Sequence, residues 1–153
     1  MYITIHAAAG GAIGQFISEP WLAFAIGFAS HFALDIVPHG DEGINKWKLF
    51  KTVRHRIVAA SALDFCALLC VSTIWIYNVQ PAQFPGMVYG MAGAILPDAL
   101  WGFHELTGAP FLNWYRKLHN SLHKIFKPKL SIAQGFLVQI PLLIVLTALL
   151  ILF

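Results

Sequence analysis

Apolar positions along the chain neither alternate nor recur on one narrow face. They run on in blocks of roughly twenty residues, broken by short polar or charged stretches. Hydropathy places spans at about 2–18, 20–37, 57–79, 84–107 and 131–153, each near the roughly 20 residues that cross a 30 Å hydrocarbon core. The first is short and glycine-rich and runs into Glu19-Pro20, so the first two segments are expected to form a tight helical hairpin that crosses only in part. Gly10-x-x-x-Gly14 and Gly86-x-x-x-Gly90 would let helices approach closely. The pattern predicts an all-α fold: an integral membrane helical bundle of about five spans, forming one domain over 1–153.

Composition narrows the class. Of 153 residues, 58% are hydrophobic and only 11% charged, against about 25% charged in soluble domains. Disorder, a collagen repeat and a disulfide scaffold are excluded, and no length remains for a separate soluble domain. The ten Lys and Arg fall in two stretches, Lys46 to Arg56 and Arg116 to Lys129, whereas the connection from Asn78 to Gly86 carries no charge. Under the positive-inside rule the basic loops, about 38–56 and 108–130, are cytoplasmic, and five spans put the N-terminus inside as well. A prokaryotic inner membrane is the expected location. The net charge of +3 is read as topology and attraction to anionic lipid rather than nucleic acid. The opening residues lack a basic n-region and are read as mature chain. Cys66 and Cys70 share one helix face and are expected to be buried small side chains. The ending from Leu130 to Phe153 has no ionisable residue and reads as a plain anchor kinked at Pro141.

Ionisable side chains are costly in lipid and tend to mark function. Here they gather at the cytoplasmic half, with only Glu19 on the other side. His31 and Asp35 are four apart, as are His119 and His123, so each pair shares a helix face and forms a natural chelate. His6, His31, Asp35, Asp98, His119 and His123 are the expected metal ligands. Asp64, His39 and Asp41 are the candidate proton carriers. His55 reads as a headgroup contact, and His104-Glu105 as a helix cap or a site pair. At an offset of 63, Gly27 pairs with Gly90, Ala29 with Ala92, Asp35 with Asp98 and Glu42 with Glu105. That repeat suggests two parallel helical hairpins facing each other with one carboxylate apiece, able to bridge metals or share a proton.

Ser30-His-Phe-Ala-Leu-Asp35, Leu96-Pro-Asp98 and His119-Asn-Ser-Leu-His123 resemble motifs of the LexA-regulated, membrane-bound metal-dependent hydrolase family. The resemblance implies His31, Asp35, Asp98, His119 and His123 as ligands. Ala99-Leu100-Trp101 replaces that family's further Asp and His, the two histidines stand one residue closer, and the motif order differs. A looser likeness to zinc-dependent phospholipase C would bring in His6.

These features point to a metal-dependent hydrolase at the cytoplasmic interface. It would hold one or two divalent ions, zinc first and manganese or iron as alternatives, and act on an amphipathic anionic phosphoester such as a membrane phospholipid. A metal or proton transporter, or a haem-binding protein, is the alternative.

Overall fold

The computed structural model describes residues 1–40, 51–122, 125 and 130–153. Asp41 and His123 lie outside the described residues. The elements are α1 (Ile3–Gly14), α2 (Pro20–Asp35), α3 (Val53–Asn78), α4 (Phe84–Thr107), a 3-10 turn (Pro110–Leu112), α5 (Asn113–Leu122) and α6 (Ile132–Leu152), with no strand among the described residues.

Local chemistry sets the helix ends. Glu19 accepts from the Trp21 amide ahead of Pro20, Thr52 accepts from His55, and Ser131 with Gln134 forms a capping box. Gly108, at φ 70°, ends α4 in the left-handed conformation that costs glycine least. The five expected spans each correspond to a helix, and α5 is an additional one inside the predicted basic loop.

Helix lengths separate the apolar segments. α3 and α6, of 26 and 21 residues, contain the two stretches among the described residues that are long and apolar enough to cross a membrane, Arg54–Asn78 and Ile132–Leu152. Only 17% of the most apolar part of each is buried, so their apolar faces point outward. α1 has 12 residues, about 18 Å of helix, and nearly all of it is buried. Its small Ala and Gly residues let α2, α3, α4 and α6 pack around it. The short first segment is therefore the centre of the bundle.

The two glycine pairs meet each other. A Cβ at Gly10 would strike the Gly90 carbonyl, and one at Gly14 the Gly86 carbonyl, so α1 and α4 run antiparallel at close range. Gly27 abuts Gly90, and His31 reaches the Ala94 carbonyl, which sets α2 parallel to α4 in a register of 63 residues. Ala7, Ala8, Ala12, Leu68, Trp75, Met87 and Leu150 form the apolar core.

Two local expectations are corrected. Cys66 and Cys70 are exposed, because α3 turns its Ala60–Asp64–Leu68–Trp75 stripe inward and the cysteines lie on its other side. The last helix is more than an anchor: Gln139, 2% exposed, accepts from the Tyr2 amide and donates to the His39 carbonyl. Gly135 has no side chain, which allows the His39 carbonyl against α6.

Candidate metal centre

Four helices deliver side chains to one buried point. α1 supplies His6, α2 supplies His31 and Asp35 one turn apart, α4 supplies Asp98, and α5 supplies His119. His6 and His31 have no exposed surface, Asp35 and His119 are 2% exposed, and the Asp98 side chain retains 16%.

The tautomer of His31 is fixed by its neighbour. Nδ1 lies 2.8 Å from the Ala94 carbonyl oxygen, which can only accept, so Nδ1 carries a proton and Nε2 is the nitrogen left to meet the cluster, where it would offer a metal ion its lone pair. That lone pair faces Asp35 Oδ2 at 3.0 Å, His119 Nε2 at 3.3 Å and Asp98 Oδ1 at 3.8 Å. His119 Nε2 is in turn 3.4 Å from Asp98 Oδ1 and 3.6 Å from Asp35 Oδ2. A tetrahedral ion with bonds of about 2.0–2.2 Å has ligand-to-ligand edges of about 3.3–3.6 Å, and these five separations straddle that range. Acceptor atoms crowded this way repel unless a cation or shared protons lie among them. The donors present fit a small divalent ion of zinc type.

The other carboxylate oxygens face His6. Its Nε2 is 3.2 Å from Asp35 Oδ1 and 4.0 Å from Asp98 Oδ2, its ring stacks on His31 at 3.9 Å, and its buried Nδ1 has no hydrogen-bond partner among the described residues. His6, His31 and Asp98 form one group able to hold an ion; His31, Asp35 and His119 form another. Asp35 and Asp98 each turn one oxygen to either side, a geometry that suits bridging carboxylates.

Surrounding contacts hold the ligands in place. The His119 ring packs among Trp101, Tyr115 and Phe32, and the Tyr115 hydroxyl donates to the Pro97 carbonyl at 2.8 Å, fastening α5 to α4 beside Asp98. Burial, reinforced by the charges of Asp98 and Asp35, pushes the Tyr115 phenol well above its ordinary value and keeps it a donor. His104 bonds Asn113, and Glu105 pairs with Arg116, so this pair ties α4 to α5 apart from the ligand cluster. His55 bonds Thr52 on the exposed start of α3.

Two expected proton carriers are placed elsewhere. Asp64 accepts from the Ile3 and Thr4 amides and the Thr4 hydroxyl, which caps the start of α1 from α3. Its oxygens are committed to that helix end, where three donors satisfy a buried carboxylate. His39 bonds the Val37 carbonyl through Nδ1 at 2.6 Å and the Met1 nitrogen through Nε2 at 2.9 Å. Met1 nitrogen in turn lies 3.1 Å from Asp35 Oδ1, which links His39 to the cluster.

Sequence reasoning missed Met1, Gln139 and Tyr115. Gln139 carried a signal, as one of two amides in the last apolar run; Met1 and Tyr115 carried none. Compared with protein-family profiles, curated proteins and solved structures, the chain matches none.

Proposed function

We propose that this protein is a membrane-embedded metal-dependent hydrolase that cleaves an amphipathic phosphoester at the cytoplasmic interface. The observation that carries the reading is the convergence of His31 Nε2, aimed by the Nδ1 bond to Ala94, on His119 and the carboxylates of Asp35 and Asp98. A divalent ion there supplies Lewis acidity and a water acidified toward neutral pH. The chain's own residues do the rest. Asp35 and Asp98 would hold such an ion and offset its charge. Asp98 is the ligand with exposed surface, so substrate approaches from its side. Lys117 on the neighbouring helix favours an anionic group.

A single small ion suits the geometry better than haem does. The two Nε2 atoms 3.3 Å apart are adjacent ligands, whereas axial ligands stand about 4 Å apart across a macrocycle at bond lengths near 2 Å.

Elemental analysis of detergent-purified protein tests the reading. It predicts one or two zinc, manganese or iron ions per chain, and metal-dependent release of product from labelled phospholipids. A metal-free protein after reconstitution would refute the site. A metal-loaded protein that moves the ion into proteoliposomes and hydrolyses nothing would make it a transporter.

A further inference from the structure

α5 turns Tyr115 and His119 inward, with Leu112 just ahead of it also buried. Phe111, Trp114 and Leu118 stay outside, at 68%, 67% and 48% exposure. Trp114 and Leu118 sit at i and i+4 on α5, one stripe along the helix that Phe111 extends from the 3-10 turn ahead of it, and the stripe adjoins the buried arc. The apolar half of this helix is thus wider than the bundle covers, while Asn113, Arg116, Lys117 and Ser121 are exposed around the remainder.

Charge identifies what covers it. The stretch Arg116, Lys117, Lys124, Lys127 and Lys129 holds half of the ten basic residues in the chain. Arg116 is paired with Glu105 and Lys117 is exposed. A short helix with Trp, Phe and Leu beside lysine and arginine has the composition that lies flat at the headgroup–acyl boundary of an anionic bilayer.

We propose that α5 is such an interfacial helix, with Phe111, Trp114 and Leu118 at the acyl boundary and Lys117 among the lipid phosphates. The inference rests on the membrane reading of α3 and α6 and on His119 as a ligand. Because His119 lies on the other arc of the same short helix, the candidate metal centre then stands at the depth of the headgroup phosphates. The substrate class this selects is a phosphoester presented by the bilayer, in preference to one dissolved in water.

The test uses the full chain in vesicles of phosphatidylglycerol and phosphatidylcholine. Tryptophan emission is compared with that of Trp114→Phe, so the difference reports Trp114 alone. Lipids brominated near the carboxyl end of the acyl chain should remove most of that emission, and lipids brominated near the methyl end or aqueous iodide should remove little. Quenching by iodide alone would put the stripe in water and overturn the proposal. Protection from both quenchers would assign the stripe to a second copy of the chain and overturn it equally. Alkaline extraction of the same vesicles separates the two levels: a chain that washes off refutes the membrane reading, whereas one that stays with an iodide-quenched Trp114 refutes only the interfacial helix.

Discussion

Asp35 has no exposed side-chain surface, and each of its oxygens faces nitrogen: Met1 and His6 on one side, His31 and His119 on the other. An ionised carboxylate so deeply placed costs several kcal/mol unless compensated. Asp35→Asn and His31→Ala are therefore expected to strip most bound zinc from purified protein, with Cys66→Ala and His55→Ala retaining it; equal metal content in all four would refute the ligand assignment. His119→Gln, on the peripheral helix, gives the same readout if the α2 variants fail to fold. Asp64 calls for the opposite result. Removing the cap in Asp64→Ala should cost about 1–3 kcal/mol of stability and leave metal content unchanged. Unchanged melting with a loss of hydrolysis would restore Asp64 as a proton carrier. The sequence marked Asp64 as a charge in need of a partner, but a carboxylate capping a helix and one shuttling protons look alike until its donors are known.

At the scale of elements, the bundle depends on backbones that touch. A methyl group on Gly90 would strike the Gly10 carbonyl and Gly14, so it would push α1 away from α4. Gly90→Ala should lower stability by about 1–3 kcal/mol or more and loosen the site, seen as a drop in melting temperature and weaker metal retention. Gly102, which has no neighbour within 4 Å of an added Cβ, should accept alanine. Gln139→Leu tests the role of α6: leaving the Tyr2 amide and the His39 carbonyl without this partner should cost about 1–3 kcal/mol. A melting temperature unchanged from the parent protein would show that α6 is an anchor after all. The glycine spacing in α1 and α4 was legible as a packing signal, but that the two motifs pack on each other was not, because small residues permit a close approach without choosing its partner.

For the whole molecule, the exposed apolar faces of α3 and α6 predict that the chain stays with membranes through alkaline carbonate washing; release into the supernatant would count against spans there. The sequence by itself determined that the described residues are helical, where the long apolar helices lie to within a few residues, and that its carboxylates and imidazoles gather toward one end. Apolar run length, caps, and proline and glycine at the breaks act locally, so no distant contact was needed. His31 and Asp35 on one face followed from helical periodicity alone. Only the tertiary structure decided that α1 is a buried core helix, since hydropathy records that a segment avoids water and does not say whether lipid or protein replaces it. It also decided that His6 and His119 join His31 at one point while Asp64 and His39 turn to α1 and Met1. Those choices depend on how α1, α2, α4 and α5 pack together, and packing is set by side-chain volumes at contacts far apart in the chain.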